Sequence, residues 1–144
     1  MKRILCCVCM SICLMLFTGC GKKSLKCVSE LDNDILSMKQ EYKIKFNKDS
    51  VSSLSINIDV DGKDSDIELS DTILKTVSDK FSNYYDENGI SHSVSEKSNG
   101  FNFKLSINFN KVSSSTKSKI DIINYTSNYD TIKSDLEQEG FTCK

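Results

Sequence analysis

Residues 38–60 read MKQEYKIKFNKDSVSSLSINIDV, and two alternating runs within them decide what kind of fold the chain can adopt. In the first, Met38, Tyr42, Ile44 and Phe46 share a parity with Leu36 just upstream, while Lys39, Glu41, Lys43 and Lys45 take the other. In the second, Leu54, Ile56, Ile58 and Val60 alternate with Ser55, Asn57 and Asp59. A period of two marks a strand with one buried face and one wet face. Joined across residues 47–50, the two runs make a hairpin whose register the side chains dictate. A tight turn at Lys48 and Asp49 alone would set Ile44 against Ser53 and waste the match. A three-residue loop at 48–50, or an equivalent bulge near Ser52 and Ser53, sets Ile44 opposite Leu54 and Tyr42 opposite Ile56. The spacing predicts this second register.

Outward from the hairpin, CVSEL at 27–31 is a candidate first strand, ended by the turn-like DND at 32–34. Downstream, SDTILKTVSDKFSNYYDENG at 70–89 changes period. Its Ile73, Leu74, Val77, Phe81, Tyr84 and Tyr85 recur at threes and fours, with Ser70 or Asp71 as cap and Gly89 as stop, which predicts the main amphipathic helix. Residues 90–110, ISHSVSEKSNGFNFKLSINFN, alternate again around Asn99-Gly100, the preferred pair for a type I′ turn. That turn would place Val94 opposite Leu105 and His92 opposite Ile107. A polar link at 111–119 and a short apolar segment at 120–125 follow. A last helix is expected from Tyr129 to Glu139, capped by Ser127 or Asn128 and closed by Gly140, with Ile132 and Leu136 inward and Phe141 packing back. The expected fold is α+β: an antiparallel sheet of about five strands in hairpins, packed against one long amphipathic helix and a C-terminal helix.

The 144 residues suit one domain, and the N-terminus reads as separate from it. Met1-Lys2-Arg3 is a basic start, residues 4–17 form an apolar run, and the stretch ends in LFTGC at 16–20. An apolar core of this length is that of a secretory signal peptide and falls short of a membrane span. LFTGC resembles the lipobox of bacterial lipoproteins, with Phe17 where a branched aliphatic is usual. The resemblance implies a signal peptide at 1–19, diacylglycerol on Cys20, a tether at 20–26 and a domain at 27–144 on the outer side of the membrane. Of seven cysteines, Cys6, Cys7, Cys9 and Cys13 would leave with the leader, where cysteine behaves as a small hydrophobe. Cys27 and Cys143 remain at the two ends of the domain, and in an oxidising compartment such a pair is most simply a disulfide. The layout also resembles the YehR-like family of small bacterial lipoproteins, on the lipobox, the paired strands, a helix, the hairpin and a C-terminal helix with the ending LEQEGF at 136–141. That resemblance implies a compact α+β domain on a lipid anchor and carries no catalytic residues with it.

Removing Lys2 and Arg3 from 19 basic residues leaves 17 against 20 acidic ones, a net charge of about −3, and no arginine remains. Without a basic stripe or guanidinium forks, nucleic acid is excluded as a partner class. The sharpest motif is NIDVDGKDSDIE at 57–68, which places Asn57, Asp59, Asp61 and Glu68 near calcium-loop positions 1, 3, 5 and 12. Against it, position 1 is Asn, Asp64 stands where an apolar residue is usual, and the preceding residues read as strand. His92 is the single histidine and the natural candidate for a general base. No serine sits in a nucleophile elbow, and the six glycines are scattered with no phosphate-binding fingerprint. The sequence points to a non-enzymatic extracytoplasmic binding domain, with no cofactor beyond the lipid on Cys20. Its partner would be an envelope protein, a wall polymer or a small ligand. A calcium module at 57–68 and a hydrolase using His92 are the alternatives.

Overall fold

The computed structural model describes residues 23–63 and 87–144. They form strands β1 (Ser24–Asp32), β2 (Leu36–Asn47), β3 (Ser50–Gly62), β4 (Ile90–Lys97), β5 (Gly100–Asn108) and β6 (Thr142–Cys143), with helices α1 (Ser114–Lys117) and α2 (Tyr129–Gln138) between β5 and β6. The strands make one sheet in the order β4-β5-β3-β2-β1-β6, and every neighbouring pair is antiparallel.

The central hairpin has the register that its side chains demand. Ile44 lies opposite Leu54 and Tyr42 opposite Ile56, and the register shifts between Lys45 and Phe46. Lys45 pairs with Ser53 but Phe46 pairs with Val51, so Ser52 is the extra residue of a bulge. The turn itself is tight, with Asn47 opposite Ser50 and Lys48 at a φ of 56°. The bulge absorbs the one-residue mismatch that a tight turn alone would leave. As a result Ile44, Leu54, Ile56 and Val60 are all buried on one face.

The second hairpin forms, but its turn differs from the expected one. Lys97 pairs with Gly100, which places Ser98 and Asn99 in the turn. Val94 therefore faces Phe103 and His92 faces Leu105, two positions from the predicted partners. A two-residue shift preserves the faces, so Phe101, Phe103, Leu105 and Ile107 remain in the core. The cause is contact with β3. Gly100 sits opposite Asp61, where an added Cβ would collide with the Val60 carbonyl. Glycine is needed here for close approach and not for a positive φ, which Gly100 does not have.

The expectation of about five strands packed on one long amphipathic helix is corrected. The described residues form six strands and two short helices of 4 and 10 residues. Among them no long amphipathic helix packs on the sheet; residues 70–86 of the stretch expected to form it lie outside the described residues. The described cover over the apolar face comes from the C-terminal third. Ile132 and Leu136 of α2 are buried, as are Val112 and Ile123. Tyr129 packs on Phe46 at 5.4 Å, Phe141 on Tyr42 at 4.9 Å and Tyr125 on Phe109 at 5.4 Å between ring centroids. Each fully buried aliphatic or aromatic side chain contributes about 1.5–3 kcal/mol of transfer free energy.

Helix α2 begins and ends where its caps dictate. Asn128 Oδ1 accepts from the Thr131 N–H at 3.0 Å. At the other end Gly140 has a φ of 92°. There the Gly140 N–H donates to Glu137 O at 3.2 Å and the Phe141 N–H to Leu136 O at 3.0 Å. This double closure is a Schellman motif, and it turns the chain back so that β6 can pair with β1.

Candidate functional site

The sheet has one apolar face and one polar face, and the polar face carries the candidate site. Because alternate residues point to opposite sides, it presents Ser53, Ser55, Asn57 and Asp59 from β3 and Asn102, Lys104 and Ser106 from β5. Strand β4 adds Ser91, Ser93 and Ser95, and β2 adds Lys39, Glu41, Lys43 and Lys45. Register aligns these into rows across the sheet. One row runs Ser91, Ser106, Ser55, Lys43, Lys26, and the next runs Ser93, Lys104, Asn57, Glu41, Val28.

The two rows line an open groove of about 480 Å³. Its floor is built from short hydroxyl and amide side chains, and the longer Glu41 and Lys43 rise at the β2 side. The hydroxyls of Ser55, Ser91, Ser93 and Ser106 have no hydrogen-bond partner among the described residues, nor does Lys104 make an ion pair among them. Glu41 is held by the ammonium groups of Lys26 and Lys43, each at 2.7 Å. Their hydrogen bonds outweigh its partial burial and lower its pKa to about 2. Lys26, Lys43 and Lys104 thus stand against the single carboxylate of Glu41, a cationic spot on a chain whose overall charge is −1. The strand aromatics Tyr42, Phe46, Phe101 and Phe103 all lie on the other face, so a ligand here meets hydrogen-bonding groups and positive charge, with no ring to stack on.

The proposed calcium positions do not form a loop. Asn57, Asp59 and Asp61 are successive outward residues of β3, and Lys97 reaches across to Asp59 at 2.6 Å and Asp61 at 2.9 Å. Asn102 Nδ2 donates to Asn57 Oδ1 at 3.0 Å and approaches Asp59 Oδ1 at 3.3 Å. The Lys97 hydrogen bond is the main reason that the Asp59 carboxyl titrates below its usual range. Asn57, Asp59 and Asp61 therefore lie on an extended strand, where Lys97 is the counter-ion of both aspartates. No group of three or more metal-ligating residues occurs among the described residues. Glu68 lies outside them, as do Cys20 and the leader.

His92 borders the groove as a strand residue, but alternation sends its ring to the face opposite Ser91, Ser93 and Ser106. A serine–histidine pair therefore does not assemble from these residues. The expected disulfide is present: Cys27 and Cys143 are bonded, with their Cα atoms 4.1 Å apart. They are direct cross-strand partners of β1 and β6. Lys26 and Lys144 exchange backbone hydrogen bonds at 3.0 and 2.8 Å, which leaves Cys27 and Cys143 as the closer, non-hydrogen-bonded pair next to them.

The sequence reading missed the groove. Its residues are the polar parity of three strands, a pattern that by itself means only a wet face. The signal that could have found it is the register, which stacks small hydroxyls from β3, β4 and β5 around one lysine.

No family model matches the chain, and no characterised protein matches it in sequence. Two solved structures share its fold. An NMR structure of a protein from Streptococcus pneumoniae TIGR4 superposes with a TM-score of 0.53 at 13% identity, covering 90% of each chain. The NMR structure of the E. coli YehR protein superposes with a TM-score of 0.51 at 12% identity, covering 85% of this chain and 92% of that one. The chain is thus similar in fold to YehR, at a distance where only fold is shared.

Proposed function

We propose that this chain is a lipid-anchored extracytoplasmic domain that binds, without chemistry, a hydroxyl-bearing anionic polymer segment along its polar sheet face. The observation that carries the reading is the pair of cross-strand rows in which serines whose hydroxyls have no partner among the described residues lie beside Lys104. A phosphate or carboxylate oxygen would sit against Lys104 and Lys43 as point charges, and the hydroxyls of the ligand would exchange hydrogen bonds with Ser55, Ser91, Ser93 and Ser106. Such contacts are individually worth about 1 kcal/mol and favour a repeating ligand that makes several at once. The lipid on Cys20 would hold this face within reach of polymers outside the membrane; of the expected tether at 20–26, residues 24–26 are already part of β1.

Retention on immobilised poly(glycerol phosphate), compared with an uncharged polyol of equal length, tests the reading. The chain should be retained by the phosphate polymer at low salt and released as ionic strength shortens the screening length to about 8 Å. Lys104→Glu should weaken retention by about tenfold or more, corresponding to ~1.4 kcal/mol. Equal retention on both polymers, or none on either, would contradict it.

A further inference from the structure

The two cross-strand rows of the polar face do not end at β1. Thr142 of β6 lies opposite Val28, so the row through Lys104, Asn57 and Glu41 continues onto β6. The other row is extended by Lys144, which exchanges both backbone hydrogen bonds with Lys26, at 3.0 and 2.8 Å. Because Cys27 and Cys143 are buried on the apolar side, alternation sends Lys26, Val28, Thr142 and Lys144 to the polar side. These four residues line a second cavity of about 240 Å³. Glu41 and Lys43, at the rim of the serine groove, separate it from the first.

The chemistry of this cavity differs from that of the groove. Val28 and the aliphatic stems of the two lysines give it apolar walls, while long basic side chains keep their ammonium groups in water. Like charges directly opposite each other destabilise an antiparallel pair, and Lys26 and Lys144 are such a pair. Lys26 bonds Glu41 at 2.7 Å, but Glu41 is shared with Lys43. Lys144 makes no ion pair among the described residues, and its main-chain oxygen is spent in the plane of the sheet on the Lys26 N–H. Along the row Lys43, Lys26, Lys144, three ammonium groups are thus set against the carboxylate of Glu41. Lys26, Thr142 and Lys144 are all exposed. The disulfide fastens β6 to β1, so the two lysines stand side by side before any ligand arrives.

We infer that this cavity is a second anion subsite, which takes a phosphate between Lys26 and Lys144 with the carbon chain that carries it lying on Val28. The inference takes its ligand class from the reading proposed for the groove and rests on it. What it adds is a second point of attachment, a direction and a minimum length. Glu41 stands between the two cavities and repels a phosphate placed over it. The charged groups of a ligand therefore fall on either side, and an uncharged, hydroxyl-bearing stretch passes over the carboxylate. Between β5, which carries Lys104, and β6 lie four strand spacings, roughly 19 Å. A single phosphate reaches one subsite, whereas a chain lying across the strands reaches both, and the second contact is made at high effective concentration.

The test is a titration of the ¹⁵N-labelled full chain with glycerol phosphate, which carries one phosphate, into the millimolar range at low ionic strength. Amide shifts are expected at Val28, Thr142 and Lys144 as well as at Ser55 and Ser106. In Lys104→Glu the first set should persist while the second is suppressed. On immobilised poly(glycerol phosphate), Lys144→Glu should weaken retention about fivefold, the loss of one of the contacts that act together. Lys144 is exposed, and an unchanged thermal midpoint reports folding of the variant. Shifts at Ser55 and Ser106 with none at Val28, Thr142 and Lys144, or undiminished retention of Lys144→Glu, would overturn the inference and leave the groove reading standing. Shifts at Val28, Thr142 and Lys144 alone would support the subsite and overturn the groove. Shifts at neither would overturn both.

Discussion

Replacing Cys27 and Cys143 together by alanine opens a loop whose ends are 116 residues apart in sequence. In the chain-entropy description the lost constraint on the unfolded state is worth about 4.9 kcal/mol at 25 °C. Both sulfurs are buried, Cys27 completely, and alanine keeps part of that apolar contact. The native pairing of β1 with β6 also retains the Lys26 and Lys144 backbone bonds. The expected loss is therefore about 3–5 kcal/mol, a large part of the 5–15 kcal/mol that domains of this size possess. With an unfolding entropy of roughly 0.25 kcal/mol/K for about 120 residues, the midpoint of thermal unfolding should fall by roughly 12–20 °C. Urea unfolding followed by tyrosine fluorescence, with and without reductant, measures the same quantity. Because the effect acts through the unfolded state, the variant should also show a steeper denaturant dependence, as its unfolded chain exposes more surface. A loss below about 1 kcal/mol, with unchanged slope, would refute the reasoning.

Gly100→Ala forces a Cβ against the Val60 carbonyl and should cost about 2–3 kcal/mol in chemical denaturation, as overpacking does; a neutral substitution would show that β3 and β5 can separate there. Glu41→Gln tests the clamp by Lys26 and Lys43. Since Glu41 is lowered from 4.5 to about 2, its stabilisation is present above pH ~4.5 and is lost as the pH falls towards 2. The natural chain should thus lose more stability than the variant over that window, by under about 1 kcal/mol because the lysines are well exposed; parallel acid titrations of the two would contradict the clamp. Asn128→Ala removes the side-chain acceptor at the start of α2 and should cost about 1 kcal/mol, with Asn128→Gly closer to natural. Thermal melts of both variants decide that point.

Much of the sheet was legible because one face is buried along most of its length. At the first hairpin, the even-numbered apolar positions of both strands could be satisfied only by a register shift, and the structure supplies it at Ser52. Helix α2 was legible for another local reason, since Asn128 and Gly140 mark its ends in the sequence as they do in space. The second hairpin was misread because glycine has two uses. Asn99-Gly100 suggested a turn needing positive φ, whereas Gly100 is the point where β5 passes closest to β3, a long-range fact with no local signature. The same limit explains β6, whose two residues carry no period and exist as a strand only because β1 and the disulfide hold them. The acidic run at 57–61 matched a calcium spacing by sequence alone. Which charge faces it depended on Lys97, 36 residues beyond Asp61 along the chain.

The claim that the polar face is the binding surface is tested most directly by amide chemical-shift mapping. The ¹⁵N-labelled chain would be titrated with poly(glycerol phosphate) at low ionic strength. Shifts concentrated at Ser55, Asn57, Ser91, Ser93, Lys104 and Ser106, and suppressed by Lys104→Glu, are the predicted result. Shifts confined to the exposed Leu31 and Ile35 end of the β1–β2 hairpin, or a spectrum unchanged at saturating polymer, would contradict it.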